Sequence, residues 1–451
     1  MKSNLRIILI LLIVLLAAAF IYLLVGKEPA NIHFDVATLS GNDQIGVYGP
    51  VGLQFDRPMN HSSVEDHISF SPKTSGRFVW VGDTDWFYQD EPIDPAQGLT
   101  LLLKPGAKSA SDETLNVRME WNLSIRSTQI LYLVLDQTGG DLWRWDFTTE
   151  SGVSLTETGG AVIDFAANRT GETIVYAAEN TEGGSDLWVT DRDGALSTLI
   201  VNCGLDYCSQ PVWSADSTLI AYARQNFNAA TGLLQSPYIW LYDSVIGEST
   251  PLYADENIPG ELPSYSPNGK WLAVYSTEQD ALRVLSLDNS EENLIPTDVE
   301  ARGDWSPDGS RLLFTEQVPS ALEPKIALYE ADLDNKTVTR VLADDSDGTF
   351  FSQPRYSPDG EWIAVSLRPV NSTGNKALWV LKLDGSEINL ITDQQNANYT
   401  SYHWSPSGLR LVYQRLDTGS SAFQSSIWLW SWSSDQSQML IENGSRPVWL
   451  P

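Results

Sequence analysis

One short phrase recurs through the second half of the chain and limits what it can fold into. It reads Tyr265-Ser-Pro-Asn-Gly269, Trp305-Ser-Pro-Asp-Gly309, Tyr356-Ser-Pro-Asp-Gly360 and Trp404-Ser-Pro-Ser-Gly408. Trp213-Ser-Ala-Asp-Ser217 is a worn copy, and Phe165-Ala-Ala-Asn168 is fainter still. The aromatic anchors stand at 165, 213, 265, 305, 356 and 404, so successive copies lie 40 to 52 residues apart. A repeat of that length is one supersecondary unit that buries its apolar face only by stacking on a neighbour. Inside the phrase, proline fixes φ and glycine supplies a left-handed residue, which makes a tight turn after a strand.

The rest of each repeat follows one grammar. A second apolar strand comes next, as in Leu219-Ile-Ala-Tyr222, Trp271-Leu-Ala-Val-Tyr275 and Trp362-Ile-Ala-Val365. A third follows a variable loop, as in Leu187-Trp-Val189, Ile239-Trp-Leu-Tyr242 and Leu378-Trp-Val-Leu381. An Asp-Gly or Asp-Asn turn then leads to a short fourth strand, as in Leu199-Ile200 and Leu390-Ile391. Four antiparallel strands per repeat is a propeller blade, and the fold class is all-β.

The two ends of the repeat region complement each other. Residues 130–158 supply strands two, three and four of a blade with no first strand. The C-terminal Ser445-Arg-Pro-Val-Trp449 matches the first strands Ser209-Gln-Pro-Val-Trp213 and Ser352-Gln-Pro-Arg-Tyr356, and is in phase. The last strand is therefore expected to complete the first blade, giving seven blades and no open edge. Six blades is the alternative if the Phe165 unit does not stand alone.

These copies of the phrase resemble the TolB-like propeller family, the bacterial WD-like repeat, over residues 128–451. The resemblance implies a propeller used for protein–protein interaction, or as a non-catalytic domain of a peptidase. Residues 30–127 lack the repeat and read as short strands at the spacing of a β-sandwich. Phe55-Asp-Arg-Pro-Met59, the turn Ser63-Val-Glu-Asp-His-Ile68 and Ser71-Pro72 resemble the bacterial Ig-like domain of surface-layer type. That likeness implies a structural spacer without catalytic residues.

The N-terminus carries a further expectation. Residues 5–25 are apolar apart from Arg6. A helix of about 20 such residues crosses a hydrocarbon core. Lys2 and Arg6 precede the stretch while Lys27 and Glu28 cancel after it, so residues 1–4 are expected in the cytoplasm and the bulk outside. The expected localisation is the cell membrane, by a single-pass anchor; a cleaved signal peptide is the rival.

Composition removes other classes. The net charge of −30 is the reverse of what phosphate binding needs, so no nucleic acid is expected as partner. With 42% hydrophobic and 19% charged residues, the chain is not a disordered acidic tail. Only 4 His and 2 Cys are present, which disfavours a metal site, and no cofactor is expected. Cys203 and Cys208 sit in one loop and read as a local disulfide.

No nucleophile elbow of the Gly-x-Ser-x-Gly type occurs, so no catalytic residue is assigned. His403, just before the Trp404 anchor, reads as a structural histidine near the channel. Asp344-Asp-Ser-Asp347 lacks the alternating ligands of a calcium loop and reads as a solvated loop. Asn122, Asn371 and Asn398 begin glycosylation triplets but are set aside because both resemblances are bacterial. Of 17 Trp, eleven fall at repeat positions and are expected in the core. Trp430 and Trp432 are left over as a candidate ligand patch. The candidate channel-facing residues are Arg302, Asp304, Arg355, His403 and Arg446. The resulting expectation is a non-enzymatic binding or scaffold protein with a protein or peptide partner in the cell envelope. The alternatives are a propeller enzyme, such as a glycan lyase or hydrolase, and a glycan-binding surface protein.

Overall fold

A computed structural model describes the chain apart from residues 1–33, 38–43, 48–50, 56, 75, 82–83, 90–92, 94–96, 127–128, 136–138, 254–257, 289, 319–324, 343–348, 370–374, 393–395, 420–423 and 451. The single-pass membrane localisation is corrected here. Among the described residues no helix is long and apolar enough to cross a membrane, and the only described helix is His61–Glu65. The stretch 5–25 that prompted the expectation lies outside the described residues. The described chain divides into two compact units, before and after residue 127.

The first unit has two four-stranded sheets. One runs Phe34–Ala37, Val51–Phe55, Thr84–Gln89, Gly76–Val81 in spatial order; the other runs Gln44–Ile45, Met119–Ile125, Leu99–Leu103, Ile68–Ser71. Leu99, Leu101 and Leu103 are buried while the residues between them are half-buried, the period of two that a one-sided strand requires. They join Leu53, Phe55 and Leu115 in one core. The polar turn expected after Met59 is a one-turn helix instead. The Asn60 side chain caps it by accepting from the Ser63 N–H at 3.1 Å, and this seats Val64 in the core.

The second unit has seven four-stranded antiparallel sheets, of which the second and third are joined by one parallel bridge between Ser185 and Tyr207, and the fifth and sixth by one between Ile326 and Phe350. In chain order their first strands are Gly444–Leu450, Val162–Ala167, Tyr207–Trp213, Glu261–Tyr265, Asp304–Trp305, Thr349–Tyr356 and Ala397–Trp404. The first sheet joins both chain ends: Gly444–Leu450 pairs antiparallel with Gln129–Leu135, with Trp449 opposite Ile130. Val162–Ala167 around Phe165 begins a full sheet with Thr173–Glu179, Ser185–Asp191 and Ser197–Val201.

Packing runs in a cycle. One hydrophobic cluster lies between each sheet and the next. A further cluster joins Val412, Ile427 and Leu429 of the seventh sheet to Ile130, Tyr132 and Trp449 of the first. Each sheet thus packs on two neighbours, and the C-terminal strand supplies Trp449 to the cluster that closes the cycle.

Two repeated devices hold the first strands. At the turn, the Ser306 hydroxyl donates to Asp308 at 2.6 Å and accepts from the Arg311 N–H at 2.9 Å, while Asp308 accepts from the Ser310 N–H at 3.0 Å. The same serine-centred bonds recur at Ser214, Ser266 and Ser357, with Asp216, Asn268 and Asp359 as acceptors. Gly269, Gly309, Gly360 and Gly408 close these turns at φ between 67 and 73°. In the worn copy Ser217 takes that conformation at φ 62°. The second device is the anchor indole. Trp213, Trp305, Trp404 and Trp449 each donate their Nε1–H to a first-strand carbonyl of the preceding sheet: Ala166, Ser264, Arg355 and His403, at 2.9 to 3.2 Å. The anchors thus pack the blades and also latch them.

Candidate functional site

A cavity of about 780 Å³ is lined by the first strand, or the residues leading into it, of all seven sheets. Only the axis of the ring is reached by all of them, so this is its central channel.

The position three residues before each anchor aromatic forms much of the wall. Gln210, Leu262, Arg302, Gln353, Ser401 and Arg446 hold that position, and all six line the cavity. Five of them are left-handed: Gln210 at φ 55°, Leu262 at 55°, Gln353 at 53°, Ser401 at 48° and Arg446 at 50°. Each sits in a break of register, as between Ser209 and Val212 or between Thr400 and His403. An extra residue in one strand re-aims its side chain. A left-handed non-glycine residue costs on the order of 1–3 kcal/mol and persists only where its surroundings hold it. Some are held across sheets: Gln210 Oε1 accepts from the Leu262 N–H at 2.7 Å, and Gln414 Oε1 from the Arg446 N–H at 3.2 Å.

Of the residues expected to face the channel, Arg302, Arg355, His403 and Arg446 line it. Asp304 is not among its lining residues but pairs with one of them. Its carboxylate lies 3.1 Å from Arg355 and accepts from the Tyr356 N–H at 2.7 Å. Arg446 donates to the Ile163 carbonyl at 2.6 Å and lies 3.3 Å from Asp164. Burial, with the charges of Arg355 and Arg302 behind it, pushes the His403 imidazole down to about 3, so it is neutral near pH 7. Burial raises Asp304 against the pull of Arg355. Burial also lowers Arg302, opposed by Asp164 and aided by repulsion from Arg355 and Arg446.

These ion pairs leave capacity unused. Among the described residues, the side chains of Arg302, Glu300, Gln353 and Ser401 make no hydrogen bond, and Arg302 Nε is buried without a partner. The channel therefore offers unpaired donors and an unpaired carboxylate together.

Other expected sites fall elsewhere. Cys203 and Cys208 are bonded to each other, 6.4 Å apart at Cα, in the cluster between the second and third sheets. Trp430 is 1% exposed and belongs to the core, while Trp432 is half-buried and packs on Trp362, Trp404 and Trp430. Residues 344–347 lie outside the described residues. Sequence reasoning missed Gln210, Leu262, Gln353 and Ser401; counting three back from each anchor would have found them.

A family model described as the TolB beta propeller domain matches residues 167–421. An uncharacterized protein of Agrobacterium fabrum is 31% identical over 115 residues, which is 25% of this chain; the match spans 35% of that relative's length. Among solved structures, TolB from Acinetobacter baumannii is 19% identical, covers 72% of this chain and 83% of its own, and has a TM-score of 0.43. The β-propeller domain of the trilobed protease from Pyrococcus furiosus is 14% identical, covers 75% and 97%, and has a TM-score of 0.48.

Proposed function

The chain belongs to the TolB beta propeller family, and from that premise we propose that it is a binding protein whose central channel receives a segment of a protein or peptide partner. In this reading the seven sheets are the blades of one ring closed by its C-terminal strand. Residues 30–127 form an Ig-like companion of surface-layer type with no chemistry of its own.

One observation carries the reading. The channel wall keeps polar side chains unpaired, of both signs, at the one place every blade reaches. A peptide backbone brings equal numbers of donors and acceptors, and a wall with both is suited to it. A buried donor left unpaired, as Arg302 Nε is, costs stability that a ligand acceptor would recover.

A propeller enzyme is the second reading, favoured by a perturbed His403 on the channel wall and a perturbed Asp304 paired to the wall residue Arg355. Against it, a general acid or base works best with a pKa near the operating pH, and His403 at about 3 is far from it.

Panning the full chain against a peptide library tests the proposal. Selected peptides are expected to bind Arg302→Gln and Gln353→Ala about tenfold more weakly than wild type, the cost of a lost hydrogen bond. Peptides that bind both variants as tightly as wild type, or turnover of a glycan abolished by His403→Ala, would overturn it.

A further inference from the structure

A second cavity, of about 470 Å³, opens between the sixth and seventh sheets. Among the described residues its wall holds Arg368 and Lys376 and no acidic side chain. In a chain with a net charge of −30, that is a local reversal of sign. Among the described residues neither cation has a hydrogen-bond or ion-pair partner, and Arg368 Nε is buried and unsatisfied. Two of the three channel arginines differ, since Arg355 and Arg446 are each paired with an aspartate.

The geometry around the two cations is built. The Arg368 guanidinium stacks 4.6 Å from the Phe350 ring centroid, which holds it in place. Lys376 is half-buried beside it, and burial followed by the Arg368 charge lowers its ammonium below the usual range. Asn398 and Thr400 stand two residues apart on one strand and so share a face. Both line the cavity, and their side chains make no hydrogen bond to any described residue. Two like charges confined without a counter-ion cost stability unless an anion completes the site.

We propose that this cavity binds an oxyanion, a carboxylate or phosphate group carried on a small polar ligand. The arginine fork suits either group, the lysine adds a point charge, and Asn398 and Thr400 supply neutral donors. The volume is in the range of small-ligand sites. Nothing in this assignment depends on the channel reading.

The test is calorimetric titration of the full chain at constant ionic strength with inorganic phosphate, glucuronate and glucose. Saturable binding of phosphate or glucuronate but not glucose is expected, and the anion that binds identifies the headgroup. Lys376→Gln and Arg368→Gln should each weaken it about tenfold. Arg368→Lys should recover part of the loss, and Lys270→Gln, an exposed turn lysine, should change nothing. Absence of saturable binding by either anion would overturn the proposal, as would affinity unchanged in both Lys376→Gln and Arg368→Gln.

Discussion

The first strand of each blade has two ends that treat polar groups in opposite ways. At the turn, residue types repeat and the first serine of the phrase is bonded in the same way in successive copies. Ser306, Asp308 and the Arg311 N–H satisfy one another, and the same arrangement returns at Ser214, Ser266 and Ser357. At the channel, geometry repeats while residue types change. The left-handed position holds Gln210, Leu262, Gln353, Ser401 and Arg446 in turn. Repetition of the residue marks what every blade needs for itself. Repetition of the conformation with a changing side chain is what the proposed binding role of the channel would require.

The comparison breaks most readily at the latch. Trp449→Ala removes a buried indole and its bond to the His403 carbonyl, and should cost about 3–5 kcal/mol in urea unfolding. Trp449→Phe, which keeps a ring and loses only the donor, should cost roughly 1 kcal/mol of hydrogen bonding plus a smaller packing loss. Ser306→Ala should cost about 1–3 kcal/mol, because it strips a partner from both Asp308 and the Arg311 N–H. It should leave peptide affinity unchanged. Ser217→Gly should raise stability by about 1 kcal/mol, by putting glycine where a left-handed residue is required.

Carboxylates at the two ends should titrate with opposite sign. Burial works against ionisation of Asp308, but hydrogen bonds from Ser306 and Ser310 prevail and hold its pKa below the ordinary value. Its contribution is therefore present above the unfolded pKa of 3.8 and lost as pH falls through the lower folded value. Asp304 has a raised folded pKa, so its contribution is greatest at low pH and declines as pH rises through that value. Unfolding midpoints measured against pH should thus show wild type gaining on Asp308→Asn as pH rises through the acid range, and losing ground to Asp304→Asn. The smallest stability effect is expected at the channel itself. Arg302→Gln should leave the unfolding midpoint unchanged or slightly raised, since its buried guanidinium has no partner among the described residues to lose.

How much of this was legible in the sequence follows from the same division. The blades could be read because Ser-Pro-Asp-Gly is local chemistry: proline, glycine and an acceptor within five residues determine the turn. That the C-terminal strand completes the first blade could be read from the match and phase of its phrase; its register, with Trp449 opposite Ile130, could not. Arg302, Arg355, His403 and Arg446 were legible as first-strand residues and do line the cavity. The left-handed residues were not, because Gln210 and Gln353 carry no local signal for φ > 0; the bulge is imposed by the packing of neighbouring blades. The indole latches were hidden for a related reason, since the acceptor of Trp404 is a carbonyl 49 residues away. The cavity holding Arg368 and Lys376 joins side chains from two blades, and no spacing in the sequence announces it.

The central claim is that recognition occurs at the channel end and not at the turn end. Site-specific photo-cross-linking in the native host tests it most directly, with the photoreactive residue placed at Gln353 or Ser401 on one side and at Asp308 or Asp359 on the other. The account predicts that one protein or peptide is captured reproducibly from 353 and 401, and that it is lost when Arg302 is changed to Gln. Capture of the same partner from 308 and 359 but not from the channel positions would contradict it.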